Sequence, residues 1–387
     1  MREITELLKM AVERNASDLH IKVGSQPIMR VHGNLERMES EPRVTAEDIK
    51  KICLAVLSPD QMEAFKRKYD LDFAYSVPGM GRFRCNAFVQ RGAMGFVFRV
   101  VPVKIPSIDE LNLPKVLEKI SMEPRGLVLV TGTTGSGKTT TLASMVDHIN
   151  RNRKVNIVTI EDPIEFLHKD NLSIINQREI GTDTTTYSIA LRAALRQDPD
   201  VLLLGEMRDP ETMEIAMTAA ETGHLVLSTL HTVDAAETVN RIVSVFPPYQ
   251  HHQIRLQLSS IVKGVISLRL MPTADGKGRV PAVEVLVSTG LIRECILEPD
   301  KTKLIPDVLA KGKSQYGMQT FDQSIFDQYQ AGRVSYEEAL RWASNVEDFK
   351  LKIKGVSSST EAAEEEVAGK EGPRGGGMKI ERFSDRK

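Results

Sequence analysis

The sequence predicts an α/β protein: a small mixed N-terminal domain, a proline-marked linker, and a larger domain on a parallel sheet that ends in helices. Three observations carry this reading. Short apolar runs alternate with helical stretches after Gly126. Strand-like and helical pieces mix before residue 101. Pro102, Pro106 and Pro114 cluster between the two blocks. Apolar runs of that kind are strands buried on both faces, and helices between them imply right-handed parallel crossovers.

Taken in order, residues 3–14 place apolar groups at helical spacing and read as an amphipathic helix. Asp18–Val23 and Ile28–His32 read as strands, with a hairpin plausible at Gly33-Asn34. Residues 45–68 read as a helical pair, and strand character returns at Arg82–Val89 and Gly95–Val100. The domain assignment is therefore 1–101, linker 102–114, and a second domain over 115–354. In the second domain the apolar runs are Leu127–Val130, Asn156–Ile160, Val201–Leu204 and Leu225–Leu230, and residues 300–354 look helical. The tail 355–387 holds Ser357-Ser358-Ser359, Glu364-Glu365-Glu366 and Gly375-Gly376-Gly377, and is expected to be disordered because too little apolar surface offsets chain entropy.

Composition narrows the function classes. Lys plus Arg number 51 and Asp plus Glu 52, so the net charge is −1. A protein living on nucleic acid or anionic lipid usually carries a basic excess, so a nucleic-acid partner is not expected. No apolar run is long enough to span a membrane, and Met1–Glu6 does not read as a secretory signal. Cys53, Cys85 and Cys295 lie far apart without a C-x-x-C pair. That points away from a disulfide framework or zinc knuckle and fits a reducing cytoplasm.

The sharpest signal is Gly132-Thr133-Thr134-Gly135-Ser136-Gly137-Lys138-Thr139, which fits G-x-x-x-x-G-K-[ST] at every required position. It follows an expected strand and precedes an expected helix, the context that separates this motif from a chance glycine-rich turn. The loop and the first helical residues, Thr133 to Thr140, are the candidate ATP-binding residues. Backbone N–H groups would wrap a phosphate, Lys138 would reach the β- and γ-phosphates, and the Thr139 hydroxyl would serve Mg²⁺. Hydrolysis needs carboxylates. Val201–Leu204 ends in Gly205-Glu206, a strand end resembling a metal-binding one, but with glycine where the metal-associated Asp usually lies. Glu206 could hold Mg²⁺ through water or act on the attacking water. Glu161, Asp162 and Glu165 follow another strand, and ligands of open parallel sheets sit beyond the carboxyl ends of strands. The competing reading of each acid is a helix cap or a solvated loop. His224 and His231 flank the strand Leu225–Leu230, and either could be structural or phosphate-facing. Arg82, Arg84 and Arg99 lie on strands before the linker; arginines there usually solubilise an edge, but they could reach a phosphate across a boundary as arginine fingers do.

Together these residues resemble the secretion-type motor ATPases over residues 1–354. The motifs are the phosphate loop, the acidic box Thr159–Phe166, the atypical metal strand Leu203-Leu204-Gly205-Glu206-Met207-Arg208-Asp209, and the histidine box Thr222–Thr232. Ala16-Ser17-Asp18-Leu19-His20 resembles an N-terminal signature of the same family. The resemblance implies an N-terminal PAS-like α+β domain joined to a RecA-like P-loop domain with a helical C-terminal part, in a homohexamer with ATP between the domains. It implies Glu206 as catalytic glutamate, Glu165 as a second acid near the attacking water, Glu161 and His231 at the nucleotide, and Arg84 and Arg99 as phosphate-sensing arginines. Within the family, the absence of a four-cysteine zinc insertion and of a longer N-terminal region, with Leu291-Ile292-Arg293-Glu294, implies the branch that retracts type IV pili. Val287-Ser288-Thr289-Gly290 stands where that branch usually has Ala-Ile-Arg-Asn. The partners implied are an inner-membrane pilus platform protein, pressed from the cytoplasmic face, and a paralogous retraction ATPase. The alternatives are an accessory retraction ATPase, a pilus assembly or secretion ATPase, and a nucleic-acid motor.

Overall fold

The computed structural model describes residues 1–31, 33–102 and 104–354; the expected disordered tail lies outside the described residues. The opening helix is Ile4–Glu13 and buries Ile4, Leu7, Leu8 and Ala11, the i, i+3, i+4, i+7 set of one helical face. Six strands follow: β1 (Ala16–Lys22), β2 (Ile28–Val31), β3 (Asn34–Arg37), β4 (Asp70–Val77), β5 (Gly81–Gln90) and β6 (Ala93–Val100). They form one antiparallel sheet in the order β3-β2-β1-β6-β5-β4. The expected helical pair is Ala46–Val56 and Pro59–Lys68; each starts with a capping box, Thr45 with Asp48 and Ser58 with Gln61. Phe83, Phe96 and Phe98 are fully buried in the core of this block.

The second sheet has seven strands: β7 (Gly126–Thr131), β8 (Asn156–Glu161), β9 (Ile174–Glu179), β10 (Val201–Leu204), β11 (Leu225–Leu230), β12 (Val262–Pro272) and β13 (Arg279–Val287). Their order is β13-β12-β7-β11-β10-β8-β9, parallel except for β13 against β12. The apolar runs read correctly as central strands, buried at every position of β7, β10 and β11. Alternation splits them between two cores. Leu127, Leu129, Leu202, Leu204 and Val226 pack on one face, and Val128, Val130, Val201, Leu203 and Leu225 on the other. Each such side chain contributes roughly 1.5–3 kcal/mol. β4 and β9 are sheet edges with partly exposed, mixed sequences, so no continuous apolar run announced them. Among its described residues the proline-rich stretch before the second sheet holds no strand, yet Ile108 and Leu113 are buried in the second-sheet core. The helices Phe321–Gln330, Tyr336–Trp342 and Val346–Ile353 pack around Phe321, Ile325 and Phe349 against the β12–β13 end. Arg269 of β12 ties them down. Its guanidinium lies 3.8 Å over the Phe321 ring and donates to the Trp342 carbonyl at 3.0 Å.

β13 carries one buried acid, Glu284, which accepts the Ala235 N–H at 2.9 Å. Burial pushes its pKa up to about 7, against the pull of the Ala235 bond and with Asp234 adding to the rise. A carboxyl whose folded pKa lies above its unfolded value favours folding only while protonated. Its contribution is complete below about pH 4.5 and fades as pH rises through about 7. Glu284→Gln, which keeps an acceptor for Ala235, should therefore outlast the wild type at pH 8 by on the order of 2 kcal/mol more than at pH 5. Calorimetric melting at the two pH values reads this directly; an unchanged pH dependence of Tm would contradict it. No helix among the described residues is long and apolar enough to cross a membrane.

Candidate active site

The phosphate motif forms the tight connection between β7 and the helix Lys138–Asn152. Gly132, Gly135 and Gly137 all adopt positive φ, +137°, +80° and +98°. At Gly132 space as well as φ demands glycine, since a Cβ would stand 2.5 Å from the Leu268 carbonyl and 2.6 Å from Ser136 Oγ. Ser136 Oγ is buried with no hydrogen-bond partner among the described residues. Lys138 Nζ donates back to the Gly132 and Thr133 carbonyls at 2.8 and 3.0 Å, fixing the ammonium inside the loop. Burial lowers the Lys138 pKa, and the charge of Glu206 opposes that fall.

The carboxyl ends of β8 and β10 face this loop across a cleft of about 360 Å³, lined by Lys138, Thr139, Glu161, Glu165, Glu206 and His231 among others. The candidate acids and the loop are thus brought together. Thr133 and Ser136 border instead a second cleft of about 570 Å³ on the loop's other flank; Thr134 and Gly135 border both. Gly137 caps the helix in left-handed conformation and Thr140 is the third residue of its first turn; neither is in the lining of either cleft.

Glu206 is held from two sides. Arg208 Nη2 stands 2.7 Å from one carboxylate oxygen and His231 Nε2 3.4 Å from the other. Burial would raise its pKa, but the hydrogen bond and charge of Arg208, with His231 and Lys138, outweigh burial and hold the carboxyl below its usual value. Glu161 is the most enclosed of the acids, accepting from Thr159 Oγ1 at 2.6 Å and Gln177 Nε2 at 3.1 Å, and burial raises its pKa against those bonds. The two histidines of the box part company. His231 follows β11 and reaches Glu206, whereas His224 precedes β11 at the far end of the sheet and contacts the Ala219 carbonyl at 2.9 Å.

Sequence reasoning missed Tyr187. Its phenol lines the cleft, and a Cβ on Gly205 would sit 2.9 Å from the Tyr187 hydroxyl. That is the local reason for glycine where an Asp is usual. Burial first, then Asp162, Glu206 and Glu161, push the Tyr187 pKa well above its ordinary value. No motif spacing links residue 187 to 205; only the packing of the helix Tyr187–Ala194 does.

The N-terminal sheet meets this site through β5. Arg84 Nη1 lies 3.7 Å from Glu165, and Arg82 Nη2 3.1 Å from Glu179. Arg99 behaves differently. It stands directly opposite Arg84 in the β5–β6 register, and two like charges facing across a sheet repel. Its Nε turns to Asp18 at 2.9 Å, so within one chain Arg99 is not brought to the phosphate loop.

A family model described as "Type II/IV secretion system protein" matches residues 1–315. The chain belongs to that family. Among relatives, it is 44% identical over 347 residues to the "Type IV pilus retractation ATPase PilT" of Pseudomonas aeruginosa, covering 90% of this chain and all of the relative. It is 41% identical over 357 residues to that organism's "Type IV pilus ATPase PilU", covering 92% and 93%. Among solved structures, the "Pilus Retraction Motor PilT and Bound ADP" superposes with a TM-score of 0.81 at 42% identity, over 90% of this chain and 99% of the other. The fold expected from the resemblance, a small N-terminal domain on a RecA-like ATPase domain, is the family's fold. The residues of this family member also fit a nucleotide and its metal. The Gly132 cradle and the unpartnered Ser136 hydroxyl suit a bound phosphate. The Thr139 hydroxyl and the Glu206 carboxylate share one cleft, a donor pair suited to Mg²⁺, which takes its remaining ligands from phosphate and water.

Proposed function

We propose that this chain is a homohexameric motor ATPase that drives retraction of type IV pili, and hence twitching motility, from the cytoplasmic face of the inner membrane. The observation that carries the reading is the Arg84–Glu165 contact, 3.7 Å across the boundary between the two sheets. It places a cation of one domain against an acid lining the phosphate-loop cleft of the other. A change of charge in that cleft is then felt as a force between domains.

The steps follow from the chain's own groups. The loop amides of Thr133–Thr139 and the helix N-terminus take the phosphates, and Lys138 sits against the β- and γ-groups. The flank bordered by Thr133 and Ser136 takes the nucleoside. Thr139 and, directly or through water, Glu206 would hold Mg²⁺, which would supply positive charge against the phosphates. Glu206, kept ionised by Arg208 and His231, orients the attacking water and accepts its proton, with Glu165 as a second acid nearby. Glu161 orders the cleft from its buried position at the end of β8. Arg84 exchanges Glu165 for the γ-phosphate while ATP is bound and returns to Glu165 after hydrolysis, so the domains close and reopen. In the ring, Arg99 serves a phosphate by way of a neighbouring subunit. These closures work on a membrane-embedded pilus platform protein.

Similar identities to PilT and PilU support a second reading, an accessory retraction ATPase that works beside a paralogue. Deleting the gene in its own organism separates the readings. Retraction predicts surface pili that accumulate without twitching, restored by the wild-type gene. An accessory role predicts residual twitching. Loss of surface pili would contradict both.

A further inference from the structure

Glu179 is the last residue of β9, and its carboxylate is buried at 8% exposure. One oxygen accepts the Ile164 N–H at 3.0 Å; the other accepts from Thr182 Oγ1 at 3.2 Å. Its own N–H donates to Asp183 Oδ2 at 2.8 Å, so the turn that follows fixes the side chain from below. Ile164 is the residue immediately before Glu165. The oxygen that holds Ile164 also faces Arg82 of β5, 3.1 Å away, and Arg82 is itself only 17% exposed. That guanidinium nitrogen is buried and makes no aligned hydrogen bond among the described residues, so the contact is Coulombic. A buried pair of this kind is a weak source of stability, because desolvating two charges offsets their attraction. Removing one partner, however, leaves the other charge buried and alone. Such a pair suits a device that registers whether two bodies are in contact.

We propose that Glu179 is a positioning residue for Glu165, and that Arg82 makes this positioning depend on contact with the N-terminal sheet. With the domains together, Arg82 balances the Glu179 charge, and Glu179 holds the 162–165 loop through the Ile164 N–H. With the domains apart, the unbalanced carboxylate draws water and loosens its hold on that loop. Arg84 reads the cleft through Glu165 itself; Arg82 acts one step behind, on the backbone that carries Glu165. The inference rests on the hydrolytic reading of the cleft.

The test is a double-mutant cycle on Mg²⁺-dependent phosphate release by the full chain, with assembly checked by light scattering and folding by melting. Arg82→Gln and Glu179→Gln should each lower kcat about tenfold with KM within about twofold, since small misplacement of a reacting group costs that much or more. Gln at 179 still accepts from Ile164, so the loss reports the charge. The double variant should be no slower than either single one, because both remove the same coupling. Arg82→Lys, which keeps the charge, should recover most of the rate. Wild-type kcat in a folded single variant, or losses that multiply to about a hundredfold in the double variant, would overturn the proposal. If either single variant fails to fold, Thr182→Val removes one hydrogen bond to Glu179 without changing charge. A lowered kcat at unchanged KM then supports the role, and an unchanged kcat overturns it. Wild-type protein without phosphate release would instead sink the hydrolytic reading, and Glu206→Gln run in parallel keeps the two failures apart.

Discussion

Glu206→Gln is expected to leave ATP bound and to cut turnover by about 10²–10⁴-fold, the range a positioned general base contributes. Glutamine keeps the length of the side chain and one acceptor for Arg208, 2.7 Å away, so the cleft keeps its shape. It cannot take a proton from water. In the wild type, Arg208, His231 and Lys138 overcome the opposing effect of burial and hold this carboxyl ionised, the state a base needs. Phosphate release under saturating Mg²⁺-ATP measures the loss, and a fluorescent ATP analogue titrated onto the same variant checks that binding survives. A variant that binds and still turns over at the wild-type rate would place the base elsewhere, with Glu165 the next acid to test.

Lys138→Ala is expected to act at an earlier step. The ammonium holds two loop carbonyls, Gly132 and Thr133, and is nearly buried within the motif. Alanine would remove the cation proposed to face the phosphates and would free both carbonyls. Loss of one preorganised donor to phosphate-borne charge costs about 3 kcal/mol, or about 10²-fold or more. The loss should appear as weakened ATP binding together with lost turnover, unlike the pure rate loss at Glu206. Tight ATP binding by a folded Lys138→Ala protein would contradict the assignment of the loop. The two variants thus separate holding the nucleotide from cleaving it.

How much of this was legible in the sequence depended on whether the cause was local. The phosphate loop was fully legible, because its requirements are contiguous: positive φ at Gly132, Gly135 and Gly137, then a helix. The central strands β7, β8, β10 and β11 were legible because burial on both faces leaves unbroken apolar runs; β12, also interior, was not, because Lys263, Ser267 and Arg269 break its run, nor was its edge partner β13, which carries Glu284. The edge strands β4 and β9 were not, since a half-exposed edge tolerates mixed residues. His224 and His231 looked equivalent as flanks of one strand. Strand direction, fixed by parallel pairing, sends only His231 to the carboxyl-end cleft. Gly205 was visible as a departure from the usual pattern, but its cause, the Tyr187 hydroxyl, comes from another helix. Arg84 and Arg99 read alike as arginines on neighbouring strands. Their face-to-face register pushes them to different acids, Glu165 and Asp18. Arg82 stood out only with Arg84 and Arg99 as a strand arginine that could reach a phosphate, and Glu179 carried no signal; their pairing lies in a contact between sheets.

The central claim is that nucleotide on the phosphate loop draws the N-terminal sheet toward it. The most direct measurement is a distance between spin labels at Arg91→Cys, on the exposed turn between β5 and β6, and Asn152→Cys, at the exposed end of the helix that follows the loop. The native thiols at 53, 85 and 295 are all buried and leave these two positions as the reactive ones. In the Glu206→Gln background, saturating Mg²⁺-ATP should shorten the distance and narrow its distribution, and the added Lys138→Ala change should abolish the shift. An identical distance distribution with and without saturating Mg²⁺-ATP, in protein shown to bind it, would contradict the account.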